Sequence, residues 1–270
     1  MDTPKWRDKR ILLTGSTGSL GSETALALAR SEAELLLPVR NAEKAEQLQK
    51  KLLQACPEAR LCFYRLDLAD ENAVSRCAEQ IRSDGKPLDA IIHNAGIFTK
   101  GGKASPQGNE LHRQVNALSP LLLTELLLPA LQRSSHPAVV TVTSLSAFWV
   151  DGASSNGRRT ATRLYAQSKR QLLEDMMRLS AKEQEIRFVY AHPGVCATGL
   201  FTGSTHQTAY NHHLMKLILP LMKVIFPTPE KACASILTAL EEALPGELVQ
   251  PGGLLHIWGE PAKCDLKKKL

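Results

Sequence analysis

Tyr165 and Lys169 stand four residues apart inside a run, 163–182, that reads as helix. That spacing puts both side chains on one face, one turn apart. A phenol with a reference pKa of about 10 is a poor proton donor or acceptor at neutral pH. A neighbouring ammonium favours the phenolate and lowers that value. Moving it from ~10 to ~7 takes roughly 4 kcal/mol, within reach of one close, partly desolvated cation helped by a bound cofactor's charge. On most helices such a pair is a half-buried aromatic beside a solvated lysine. Its chemistry therefore depends on what the rest of the chain sets beside it.

The elements that would position the pair alternate between strand and helix. The apolar run 10–14 (RILLT) stops at Gly15, and Gly15-Ser16-Thr17-Gly18-Ser19-Leu20-Gly21 leads into a helix at 23–30. Glycines in that setting let peptide N–H groups approach a pyrophosphate at the positive end of the helix. Gly15, Ser16, Gly18, Ser19, Leu20 and Gly21 are the candidate phosphate contacts. A second strand, 34–39, ends at Arg40; an acidic residue there would suit a ribose 2′-hydroxyl, whereas an arginine accommodates a 2′-phosphate. Pro38 is out of place in a central strand, where a backbone donor is lost.

Helix 43–55 leads to strand 60–65 and then Leu66-Asp67-Leu68, and helix 70–83 starts on Asp70 as its N-cap. Strand 88–93 runs straight into Asn94-Ala95-Gly96, and a long helix over 107–131 carries Asn116 among apolar neighbours. Strand 138–143 ends at Ser144, the Tyr165 helix follows, and strand 186–191 precedes His192-Pro193-Gly194. This alternation predicts an α/β fold: a Rossmann-type, doubly wound parallel sheet in a single domain spanning 1–270. After Thr198 the pattern changes. A loop-like stretch and a strongly apolar segment (212–226) precede a helix opened by Thr228-Pro229-Glu230, and 252–257 reads as a last strand.

Ligands of open parallel sheets bind outside the carboxyl ends of the strands, where Gly15, Arg40, Asp67, Asn94, Ser144 and Pro193 all fall. With Tyr165 and Lys169 downstream of Ser144, the chain from about 10 to 257 resembles the short-chain dehydrogenases/reductases. The ordered set is the glycine turn, Asp67, Asn94-Ala95-Gly96, Asn116, Ser144, Tyr165, Lys169 and the stretch from Pro193-Gly194 to Thr198. The resemblance implies that Tyr165 is the general acid in carbonyl reduction and that Lys169 lowers its pKa and binds the nicotinamide ribose. Ser144 would hold the substrate oxygen, and Asn116 would fix a water in a proton relay. Asp67 and Leu68 would meet the adenine, and Asn94, Ala95 and Gly96 would line the cofactor. Pro193, Gly194, Val195 and Thr198 would face its nicotinamide end. With Arg40 at the second strand end, the expected cofactor is NADP(H) rather than NAD(H), which supplies the hydride.

Some features depart from the common pattern. Ser19 stands where a glycine is usual, so Gly15, Gly18 and Gly21 follow the G-x-x-G-x-x-G spacing of the extended epimerases and dehydratases. His93 replaces an asparagine, and the Ser144–Tyr165 interval is long, with an extra loop at 154–159. The Val39-Arg40-Asn41 strand end and Gln114-Val115-Asn116 look most like the retinol dehydrogenase and protochlorophyllide reductase group. The expected activity is hydride transfer to or from a fairly apolar carbonyl or alcohol, with 199–227 as a helical lid over the substrate. An extended-type nucleotide-sugar epimerase or dehydratase and a non-catalytic NADP(H)-sensing protein are the alternatives.

Bulk properties fit this reading. The 270 residues are 43% hydrophobic and 22% charged, with formal net charge +6. That excess is spread thinly, which suits an anionic small ligand and gives no nucleic-acid footprint. Six cysteines without a C-x-x-C pair read as free thiols in a reducing compartment, hence a cytoplasmic protein. No run reaches the ~18 apolar residues of a membrane span, although 212–226 leaves room for peripheral membrane contact. His206, His212 and His213 lack metal-ligand spacing with a carboxylate, so no metal is expected. Cys196 reads as a small buried hydrophobe, and 267–269 as a solvated lysine tail. The resemblance also implies a homodimer or homotetramer.

Overall fold

Short apolar runs bounded by turn residues become strands of one sheet, and the amphipathic runs between them become its two helical layers. The computed structural model describes residues 6–99, 102–150, 160–194, 227–253, 256 and 259–269. Within them the strands are β1 (Arg10–Leu13), β2 (Glu34–Val39), β3 (Arg60–Arg65), β4 (Ala90–His93), β5 (Ala138–Val142), β6 (Arg187–Ala191), β7 (Glu247–Pro251) and β8 (Pro261–Asp265). The helices are α1 (Ser19–Arg30), α2 (Ala42–Ala55), α3 (Glu71–Arg82), α4 (Leu111–Leu131), α5 (Ala161–Lys182) and α6 (Pro229–Glu242). The sheet order is β3-β2-β1-β4-β5-β6-β7-β8, parallel throughout except for the antiparallel β7–β8 pair. This is the expected doubly wound, Rossmann-type single domain, with one antiparallel strand at its edge.

Alternation along the strands sorts the core into two layers. Ile11, Leu13, Leu35, Leu37 and Val140 face Leu28, Leu52, Ile236 and Leu240 of α1, α2 and α6. Leu12, Leu36, Ile91 and Val139 face Val74, Ile81, Leu127 and Met176 of α3, α4 and α5. Helix α4 is long and apolar enough to cross a membrane by length and composition, but 61% of its most apolar window is buried inside the protein. Side-chain caps start α2, α3, α5 and α6: Asn41 accepts from Lys44 N, Asp70 from Asn72 N, Thr160 from Arg163 N and Thr228 from Lys231 N.

Four local expectations need correction. The helix expected over 107–131 begins at Leu111, because Gly108 has φ +83° and the 105–109 segment closes on itself through Ser105. Of the strand expected at 252–257, Gly252, Gly253 and His256 are not in a strand and 254, 255 and 257 lie outside the described residues; β7 precedes it, and β8 turns back beside β7. Lys269 is no solvated tail residue, since its ammonium lies 3.0 Å from His256 Nε2 and 3.2 Å from Gln250 Oε1. Pro38 does lie inside β2, but at no cost. Val39 O accepts from Leu66 N on the β3 side, so by alternation Pro38 turns its nitrogen toward β1. The β1–β2 ladder has already ended at the Leu12–Leu36 pair, and no donor is missing there. The 154–159 loop, the 199–226 part of the expected lid, Val195, Cys196, Thr198, His206, His212 and His213 lie outside the described residues.

The chain reverses its winding between β1 and β4, and the glycine turn closes that point tightly. Gly15 adopts φ +69°, and a Cβ there would sit 2.7 Å from Ala95 Cα. A Cβ on Gly21 would sit 2.2 Å from Gly15 O, whereas one on Gly18 would keep 3.3 Å from the same atom. Gly21→Ala is therefore expected to destabilise the protein by about 1–3 kcal/mol, and Gly18→Ala by clearly less. Urea unfolding of the two variants measures the difference; equal midpoints would contradict this packing.

Candidate active site

Three strand ends and two helices supply the side chains that meet beside the switch point. At the β1–β4 junction, Asn94 is a staple: its Nδ2 donates to Thr14 O (3.0 Å) and Gly15 O (3.2 Å). Thr14 Oγ1 accepts from the backbone N–H groups of Asn94 and Ala95 in return. Thr14 is a residue that sequence reasoning passed over, because a strand-terminal threonine carries no pattern that announces a long-range partner. These bonds hold the glycine turn against Ala95-Gly96.

The turn itself offers the features an anionic phosphate needs. Helix α1 starts at Gly18 without a side-chain cap, so its first N–H groups are not claimed by a capping side chain. Ser16 Oγ is fully buried beside them and has no hydrogen-bond partner among the described residues. Ser19, Leu20 and Gly21 form the first turn of α1. Arg40 is exposed at the end of β2 and has no ion-pair or hydrogen-bond partner among the described residues. A notch of about 220 Å³ lined by Thr17, Ser22, Lys44, Gln47, Leu48 and Lys51 lies between the turn and α2. Asp67 spends Oδ1 on the N–H of Ala69 at 3.0 Å, while Leu68 O accepts from Ser119 Oγ at 2.6 Å.

On the other side of the switch point, α4 is interrupted by a π turn at Gln114–Leu118. The wider turn turns Asn116 toward the loop after β4, a device that recurs at functional sites. Asn116 Oδ1 accepts from Ile97 N at 2.8 Å, and Nδ2 donates to Ile97 O and Ser168 Oγ, both at 3.0 Å. Ser168 Oγ donates to Tyr165 O at 2.7 Å. Asn116 thus clamps the loop after β4 to the helix that carries Tyr165. A Cβ on Gly96 would lie 3.3 Å from Lys169 Nζ and 3.6 Å from Asn116 Oδ1, so these two polar groups flank Gly96.

Tyr165 and Lys169 share the buried face of α5, at 7% and 4% exposure. Lys169 Nζ donates to Val142 O, at the end of β5, at 3.1 Å. Just beyond, Ser144 caps a 3₁₀ turn and its Oγ accepts from Ser146 Oγ at 3.1 Å. Ser144 also lies beside the Tyr165 hydroxyl and favours its phenolate form. Ser144, Tyr165, Lys169, Asn116 and Gly96 are thereby brought together, with the glycine turn joined to them through Asn94. Pro193 and Gly194 follow β6, Gly194 with φ +81°.

Burial opposes the lowering expected at Tyr165 from a close cation and a bound cofactor's charge. It pushes the Tyr165 phenol up to about 12, against Ser144, which favours the phenolate. Burial also pulls the Lys169 ammonium down to about 8. With burial as the larger influence, Tyr165 rests in its protonated, acid form. His93 is fully buried as well, and burial aided by the Lys169 charge lowers it to about 3. Thr124 gives its hydroxyl proton to Pro120 O, so the 2.7 Å contact with His93 Nε2 has the neutral imidazole as donor.

No group of three or more His, Cys, Asp or Glu side chains among the described residues could hold a metal ion. The five described cysteines are free.

A family model described as short chain dehydrogenase matches residues 9–209. An uncharacterized oxidoreductase of Schizosaccharomyces pombe is 38% identical over 144 residues, half of this chain and 42% of that protein. Human retinol dehydrogenase 11 is 33% identical over 51% of this chain and 43% of its own length. The matched stretch thus spans less than half the length of either relative. A solved short chain dehydrogenase from Shigella flexneri, complexed with NADP, has the same fold, with a TM-score of 0.69 at 24% identity over 88% of this chain and 93% of that one.

The buried ammonium leaves a measurable trace. In the unfolded chain Lys169 holds its proton to about pH 10.5, in the folded protein only to about 8. The unfolded state then binds more protons between those values, so this group's cost to folding is full below pH 8 and fades as pH rises. Any stability advantage of Lys169→Met over wild type should therefore shrink, by about 3 kcal/mol across that window. Denaturant unfolding of both proteins at pH 7, 8, 9 and 10 measures it; a constant difference would contradict a buried, depressed ammonium.

Proposed function

The chain belongs to the short-chain dehydrogenase family, and we propose that it is an NADP(H)-dependent oxidoreductase that reduces a fairly apolar aldehyde or ketone. The observation that carries this reading is the constellation at the end of β5: a buried Tyr165 beside Ser144, one helical turn from the buried ammonium of Lys169, which Val142 O holds.

Each residue has a part that its chemistry allows. Ser144 donates a hydrogen bond to the substrate carbonyl oxygen and holds it beside the phenol. Tyr165 gives its proton to that oxygen as negative charge develops there. Lys169, held at its strand end by Val142 O, favours the phenolate that remains and keeps donors free for ribose hydroxyls. Asn116 keeps Ile97 and the loop after β4 in place, so Gly96 stays open next to the ammonium. When bound, the nicotinamide cofactor supplies the hydride to the carbonyl carbon.

The cofactor reading rests on the turn and on Arg40. The buried Ser16 hydroxyl and the uncapped start of α1 suit a pyrophosphate. The unpartnered Arg40, with Lys44 one turn into α2 beside the notch, suits the extra 2′-phosphate of NADP(H). The family resemblance to retinol dehydrogenases supports an apolar substrate. Free cysteines support a reducing compartment such as the cytoplasm. The epimerase reading rests on glycine spacing alone, and the site geometry adds nothing to it.

Tyr165→Phe is expected to lose turnover by roughly 10²–10⁴-fold while binding NADPH as wild type does, measured by NADPH absorbance and fluorescence titration. Retained turnover would remove Tyr165 from its role. Arg40→Ala is expected to weaken NADPH by about 10–100-fold and to leave NADH nearly unchanged. An equal loss for both cofactors in the same titration would contradict 2′-phosphate recognition.

A further inference from the structure

Glu110 and His112, neither of which the proposed reaction uses, reach the site through one short chain of contacts. His112 is fully buried, and its Nε2 accepts a hydrogen bond from the Thr99 backbone N–H at 3.0 Å. That nitrogen therefore carries the lone pair, and Nδ1 carries the proton. Nδ1–H donates to Glu110 Oε1 at 2.7 Å. The other carboxylate oxygen of Glu110 accepts from Arg113 N at 3.0 Å, capping the start of α4. One tautomer and one ring orientation are thus set from both sides.

The segment these groups hold lies against the phenol. Phe98, between the clamped Ile97 and the clamped Thr99, meets the Tyr165 ring edge-on, with centroids 5.5 Å apart at 82°. It also meets the His112 ring, at 6.2 Å and 63°. Asn116 grips Ile97 at both its N–H and its carbonyl, and His112 grips Thr99. Both grips come from α4, one from its first turn and one from its π turn. A buried imidazole hydrogen-bonded to a carboxylate adds little stability over an apolar side chain of similar volume, so packing alone does not account for it. Its effect here is positional.

We propose that the Glu110–His112 pair is a positioning device that holds Phe98 against Tyr165, and that half-buried Phe98 is the wall on which an apolar substrate packs beside the phenol. This rests on the reading of Tyr165 as proton donor to a carbonyl. The pair acts through Thr99 and Phe98, and it neither donates nor accepts a proton in the reaction. Phe98 sets a preference for extended apolar carbonyls over small ones.

NADPH-dependent reduction of decanal and propanal tests it in wild type, Phe98→Ala, His112→Leu and His112→Gln. The glutamine keeps an acceptor within reach of the Thr99 N–H, and the leucine does not. Phe98→Ala and His112→Leu should raise the KM for decanal about tenfold while changing that for propanal by less than about threefold. NADPH affinity should stay at the wild-type value in all variants, and His112→Gln should recover most of the decanal KM. Equal losses for both aldehydes, or an unchanged decanal KM, would overturn the proposal. A wild type that reduces neither aldehyde removes the carbonyl reading, and with it the substrate wall. Amide exchange then decides the device itself. Thr99 N–H exchanging faster in His112→Leu, with β4 amides unchanged, supports it; equal exchange overturns it.

Discussion

A buried ammonium beside a buried phenol is the constraint around which this protein is arranged. Neither group would stay in an apolar interior without partners, because desolvation penalises the charged form. Lys169 meets that cost with a strand-end carbonyl, Val142 O, and Tyr165 meets it by remaining protonated beside Ser144. Both partners come from one short piece of chain at the end of β5. The spacing on α5 and the end of β5 are therefore a single requirement: shifting either by one residue would leave the ammonium unpaired.

The rest of the fold brings a second ligand surface to that pair. The parallel sheet reverses its winding between β1 and β4, and Asn94 staples the glycine turn to the loop that reaches Lys169. Gly96 leaves room for the ammonium, and Gly21 leaves room for Gly15 O. Asn116 ties the same loop to α5 through Ser168. The glycine turn and the helix that carries Tyr165 are in this way fixed to one another by side-chain hydrogen bonds, most of them to backbone groups.

Much of this was legible in the amino-acid order. The bounds of β2 and β3 coincide with their apolar runs, and the side chains expected at strand ends stand at strand ends. Periodicity could not show the π turn, since one extra residue in a turn leaves an apolar helix looking regular. It also misplaced the start of α4, because Gln107 and Asn109 suit a helix until Gly108 takes a positive φ. The burial of Tyr165 and Lys169 was not legible for a related reason. Sequence shows that a lysine is near but not how little water reaches either group, and burial decides the outcome. The Glu110–His112–Thr99 chain joins a helix start to a loop through one backbone N–H, a contact that no residue pattern encodes.

The central claim is that Tyr165 holds the proton that the substrate oxygen receives. The most direct test is the single-turnover rate of carbonyl reduction by the wild-type NADPH complex, followed by NADPH absorbance across pH 6 to about 11. The account predicts a rate that is flat to well above neutral pH and begins to fall only as Tyr165 starts to lose its proton at the alkaline end. It also predicts a solvent deuterium isotope effect on the plateau. A rate that rises with pH, or one that ignores both pH and deuterium, would contradict it.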